Sequence, residues 1–274
     1  MAITIIGDSA LLSELYEHVK QYIYEPQAKN CVFSGQGNLK VILDEDSAGY
    51  KYLLEMSDKH QLHPHISQWT SYTKSEQDQA EYFQMYLPFP LEIEGTDAAD
   101  YGTQYKGGCL NLKCQLGKKL TGNVLIDRKF MKKWDIGNLR PDIYVSEKLK
   151  ELICSNGLTG VSFEHEVKDF KGREMPKFYV MDIKHTLPPM ATSTWLIQDE
   201  YPHQWYKECG HQVVYLRSDI QYEEEKMDRS FDFNLSAEYI DNFRLQEIIV
   251  SVKVRNLFRQ HKVYARFFPV AIIK

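Results

Sequence analysis

Three thiols and one imidazole, Cys109, Cys114, Cys209 and His211, are the side chains in this chain best suited by type to hold a metal. Thiolate and neutral imidazole together favour tetrahedral zinc, as in structural sites that stabilise small folds. Their spacing argues against it. Cys109-Leu-Asn-Leu-Lys-Cys114 puts four residues between its cysteines where zinc knuckles hold two, and Cys209-Gly-His211 adds one thiol with an imidazole two positions on. Zinc therefore stands as the minor alternative to reduced thiols packed in a core, and no other cofactor is expected. His60, His63 and His65 form a second imidazole cluster, but no carboxylate or Cys keeps register with them, so the segment reads as a polar loop.

Catalytic signatures are missing. No Gly-x-Ser-x-Gly elbow occurs, and Gly35-Gln-Gly37 and Gly107-Gly108 lack the remainder of a phosphate-binding loop, so no catalytic residue is assigned. An enzyme would have to assemble its site from dispersed groups, for which Asp127, His165, Asp182 and His185 are the best candidates. More distinctive is the aromatic concentration in Glu200-Tyr-Pro-His-Gln-Trp-Tyr206, preceded by Trp195. Trp and Tyr in loops bury large areas at low entropic cost, so Trp195, Tyr201, His203, Trp205 and Tyr206 read as anchors for a protein partner.

Composition bounds these readings. A net charge of −5 disfavours a general nucleic-acid binder, and no apolar stretch approaches the ~20 residues that span a bilayer, so neither nucleic acid nor membrane is expected as a partner. Five cysteines, an odd number, fit reduced thiols and a cytoplasmic location better than a disulfide framework.

The elements that must position these residues are organised by a repeat. Ile143-Tyr-Val-Ser-Glu-Lys-Leu-Lys-Glu-Leu-Ile-Cys and Ile248-Ile-Val-Ser-Val-Lys-Val-Arg-Asn-Leu-Phe-Arg match without a gap at Val145/Val250, Ser146/Ser251, Lys148/Lys253, Lys150/Arg255 and Leu152/Leu257. Each copy predicts a β-branched strand, a capping Ser, an amphipathic helix and a second strand. The expected fold is α+β, with mixed or antiparallel sheets and this strand-helix-strand unit duplicated. A shift to Gly, Asp, Ala and Thr over residues 95–108 suggests an N-terminal α/β part at 1–100 and a repeat-bearing domain at 101–274. Where the copies differ, Asn156-Gly157 becomes His261-Lys262 and Gly160-Val161 becomes Ala265-Arg266, which nominates Lys262 and Arg266 for partner contact.

Val145-Ser-x-Lys-Leu-Lys-x-Leu152, Gly157-Leu-Thr-Gly-Val-Ser-Phe163 and Phe178-Tyr-Val-Met-Asp-Ile183 resemble the Imm11-type immunity-protein domains and the related double-CXXCG-motif proteins of bacteria. The likeness spans about residues 140–190 and recurs weakly at 246–273. It implies a cytoplasmic, non-enzymatic protein that neutralises a toxin by direct contact. The chain departs from the double-CXXCG pattern at Cys109 and Cys114, and Cys209-Gly210 keeps only the last two residues of a CxxCG. A zinc-stabilised structural module and an enzyme with a dispersed site are the alternatives.

Overall fold

The computed structural model describes residues 2–23, 32–34, 37–44, 46–62, 64–67, 72–87, 98–109, 116–130, 134–139, 142–198, 214–240 and 245–274. They form two compact units, Met1–Ser71 with Leu216–Asp219, and Tyr72–Tyr215 with Ile220–Lys274. The α+β class is as the sequence indicates.

In the first unit the strands β1 (Ala2–Ile6), β2 (Val32–Ser34), β3 (Asn38–Ile42) and β4 (His65–Ser67) form an antiparallel sheet in the order β2-β3-β1-β4. Alternation decides which side of β1 is covered: Ile3 and Ile5 are buried while Ile6 is exposed. Helix α1 (Ser9–Val19) starts where Asp8 accepts bonds from the amides of Ala10 and Leu11, and it buries Leu12, Leu15 and Val19. Helix α2 (Ala48–Lys59) contributes Tyr50 and Leu53 to the same core. The polar segment from Asp58 to Gln79 around His60, His63 and His65, which reads as a loop, contains β4 and, in the second unit, the short helix α3 (Lys74–Gln79). A capping box between Thr73 and Glu76 nucleates α3, and β4 gains its bonds by pairing with β1.

The second unit contains β5 (Tyr82–Tyr86), the hairpin β6 (Tyr105–Lys106) and β7 (Lys119–Leu120), then β8 (Val124–Ile126), β9 (Ile136–Asn138) and β10 (Ile143–Ser146). Helix α4 (Glu147–Ser155) leads to β11 (Val161–Ser162), β12 (Glu166–Asp169), β13 (Phe178–Val180) and β14 (Asp182–Ile183). After β15 (Leu196–Gln198) and β16 (Val214–Leu216) come β17 (Gln221–Glu223), β18 (Phe233–Ile240), β19 (Leu245–Ser251), α5 (Val252–Gln260) and β20 (Arg266–Ile273).

Two five-stranded sheets result, ordered β8-β12-β13-β10-β9 and β17-β20-β5-β19-β18. They share one topology. Each ends in a parallel edge pair, β8 with β12 and β17 with β20, and each is otherwise antiparallel. A single 3-10 turn follows each edge strand, at Arg128–Phe130 and Glu224–Lys226. Asp135 accepts the backbone amide and the hydroxyl of Ser146, both at 2.7 Å, just as Asp232 accepts those of Ser251 at 2.9 and 2.7 Å. The Lys150 ammonium lies 3.6 Å from the Tyr179 ring centroid, and the Arg255 guanidinium 4.7 Å from that of Phe83. The duplication is thus wider than the strand-helix-strand repeat legible in sequence. It is also permuted: β13 follows β12 in the first copy, whereas its counterpart β5 precedes the second copy in the chain. β5 therefore belongs to the second unit, although it lies upstream of the composition shift at 95–108.

Both copies share one core, in which Val145, Leu149 and Ile153 meet Phe83, Val250, Val254 and Phe258. Ser146 caps α4 through Leu149 N, but Ser251 makes no cap bond, its hydroxyl being turned to Asp232. Cys154, on the helix of the first repeat copy, is exposed. The charged stretch from Ser218 to Arg229 holds β17, where Tyr222 is wholly buried between half-buried neighbours.

The two helices end alike, with amides of Asn156, Gly157 and Leu158 matched by those of His261, Lys262 and Val263. Gly157 takes the left-handed position at φ +63, and Lys262 takes it at φ +54. An L side chain there costs roughly 1 kcal/mol or more. Lys262→Gly is accordingly expected to stabilise the fold by about 0.5–1 kcal/mol, read as a higher urea midpoint with unchanged slope.

Candidate functional site

The second unit contains a cleft of about 640 Å³ whose walls come from both copies of the repeat. Its apolar lining includes Ile143 of β10 and Ile248 of β19, residues at matching positions of the two copies, with Val180 and Leu235. Its polar lining is more unusual. Asp142, just before β10, and Asp182 of β14 both line the cleft, and Asp182 is near enough to push the Asp142 carboxyl up. On the hairpin, Lys106 lies directly across from Lys119. Two like-charge pairs of opposite sign therefore line one cleft.

Asp142 accepts a 2.5 Å hydrogen bond from the Tyr105 hydroxyl, which ties the hairpin to the start of β10. Burial pushes its carboxyl up to about 6 and Asp182 pushes the same way, while the Tyr105 bond and the His165 imidazole work against the rise. Asp182 and Glu164 are both paired with Lys184, whose ammonium these carboxylates hold above the ordinary lysine range. Asp142, Lys106 and Lys119 make no ion pair with a described residue.

Of the dispersed candidates, His165 and Asp182 line this cleft, and Asp127 and His185 are committed elsewhere. Asp127 accepts from the Lys129 amide and from Arg173, which also grips the buried Asp169. The Arg173 guanidinium beside Asp169 holds that carboxyl well below the usual carboxylate range. His185 sits with Nδ1 2.6 Å from Asn234 Oδ1 and Nε2 3.1 Å from Asp228, a latch between the segment following β14 and both β18 and the stretch leading into it. Asp142, the group of greatest chemical interest, was invisible as a candidate because nothing in Arg140-Pro-Asp-Ile143 sets it apart from a turn aspartate.

The partner-binding and metal candidates separate similarly. Tyr201, His203, Trp205, Tyr206, Cys114, Cys209 and His211 lie outside the described residues. Trp195 is 37% exposed just before β15, and Cys109 is half-buried. Among the described residues, no group of three or more His, Cys, Asp or Glu side chains is arranged to hold a metal ion. Nor is any helix among them long and apolar enough to cross a membrane.

Lys262 and Arg266 are both exposed, in a stretch where outward and inward side chains alternate: Val263, Ala265 and Phe267 pack on the core while Tyr264, Arg266 and Phe268 face out. Tyr264 is 58% exposed and stacks on Trp134 at 6.2 Å between ring centroids. Phe268 meets Tyr86 of β5 edge to face at 5.4 Å, and Arg266 lies opposite Tyr86 in the strand register. Sequence reading found the two cations by comparing the copies but not these aromatics, because Tyr86 and Trp134 are remote in the chain.

No protein-family model and no curated protein matches the sequence.

Proposed function

We propose that the chain is a non-enzymatic binding protein acting in the cytoplasm, an immunity protein that neutralises a bacterial toxin by direct contact. The observation that carries this reading is the patch of exposed Tyr264, Phe268 and Tyr86 around Arg266, backed by half-buried Trp134 and with Lys262 close by in the chain. Trp, Tyr and Arg are the side chains that dominate binding energy at protein interfaces. Apart from Trp134, which precedes β9 of the first copy, the patch belongs to the second copy, and Tyr264, Arg266 and Phe268 lie on the turn and strand where that copy departs from the first. Lys262 supports the reading independently, since it occupies a backbone conformation that glycine adopts at lower cost in the first copy. The two cations suit a partner with an acidic contact face.

Pull-down with the product of the adjacent gene tests the proposal, and absence of a complex with any neighbouring gene product would sink it. Within such a complex, Lys262→Glu with Arg266→Glu is expected to weaken affinity at least tenfold while leaving the unfolding curve near that of the parent. Unchanged affinity would confine this strand to a scaffolding role.

A further inference from the structure

The two like-charge pairs in the cleft point to a ligand. Like charges held close together repel, so each pair gains from a counter-charge, and exposed Lys106 and Lys119 are free to supply one to a ligand. Lys184 is paired with Asp182, but Asp142 is left with only the neutral Tyr105 hydroxyl and the His165 imidazole beside it. On the facing hairpin, Lys106 and Lys119 meet no described carboxylate within ion-pair distance. The anionic and cationic pairs thus share a cavity without an ion pair between them, and Ile143, Val180, Leu235 and Ile248 line the same cavity.

We infer that the cleft binds a small zwitterion with an apolar body, an amino acid or short peptide, its ammonium at Asp142 and its carboxylate at Lys106 and Lys119. A carboxylate withdrawn from water gains most from a cation that arrives with it. A cavity of this size holds a ligand of a few residues, with the apolar wall taking its side chains. The inference does not depend on the toxin-binding reading, because none of the patch residues lines the cleft.

Calorimetric titration of the full chain at neutral pH provides the test. The probes are L-leucyl-L-leucine and L-leucine, with N-acetyl-leucyl-leucine lacking the cation and leucyl-leucinamide lacking the anion. The better of the two zwitterions is expected to bind at least tenfold more tightly than either capped peptide. Asp142→Asn should remove the advantage over the acetylated peptide, and Lys106→Ala with Lys119→Ala the advantage over the amide. Thermal unfolding of each variant confirms that it is folded. Capped peptides binding as well as the zwitterions would overturn the inference. So would no measurable heat from either zwitterion at about 10 mM, or affinities indifferent to both sets of substitutions.

Discussion

Asp142→Asn is expected to stabilise the protein by about 2–3 kcal/mol at pH 8, with little effect at pH 4. The figure follows from a carboxyl raised from its ordinary 3.8 to about 6, at 1.36 kcal/mol per pK unit. Its sign comes from which state ionises first. Between roughly pH 4 and pH 6 the unfolded chain releases this proton while the folded chain keeps it, so the group's contribution to stability is intact below that window and lost as pH rises through it. Asparagine carries no charge to desolvate, and its carbonyl can still accept the Tyr105 hydroxyl. Urea unfolding of parent and variant at the two pH values isolates this residue from all other titrating groups. Equal stability differences at pH 4 and pH 8 would refute the assignment. A group that weakens the fold at neutral pH, lining a cleft, is the usual signature of a residue kept for binding.

The scaffold was legible in sequence because its signal is local. Strand, helix and strand follow within each copy, and the apolar period of α4 and α5 shows directly which face is buried. What stayed hidden depends on pairing between distant segments. The equivalence of β5 and β13 cannot be read along the chain, since permutation moves the strand from one end of the copy to the other. Lys106 and Lys119 look like ordinary surface lysines until the hairpin register sets them side by side. Asp142 owes its raised carboxyl to burial and to Asp182 on another segment, against the opposing pull of Tyr105 and His165 on two more. Sequence comparison of the two copies did reach Lys262 and Arg266, because there the difference itself is local.

Duplication also supplies a controlled comparison of stability, in which Asp232→Ala is expected to cost about 3 kcal/mol and its counterpart Asp135→Ala about 1 kcal/mol. Both carboxylates accept the serine hydroxyl at 2.7 Å, so that bond cancels in the comparison. Asp232 is 6% exposed and also accepts the amide of Thr159 at 3.0 Å and its hydroxyl at 3.1 Å. Thr159 follows α4 in the first copy, and its carbonyl receives the Phe233 amide at 3.1 Å, so Asp232 fastens the second copy to the first. Truncation to alanine strands the Thr159 amide and the Ser251 hydroxyl in a site where water cannot readily replace the lost acceptor. Truncating half-exposed Asp135 leaves only the Ser146 hydroxyl without its acceptor, at a half-buried site where water can take its place. Thr159→Val combined with Asp232→Ala should cost less than the two changes added, by roughly 1 kcal/mol, because both remove the bond from the Thr159 hydroxyl to the Asp232 carboxylate. Strict additivity, or equal costs for Asp135→Ala and Asp232→Ala, would mean that the two copies are not joined through this carboxylate.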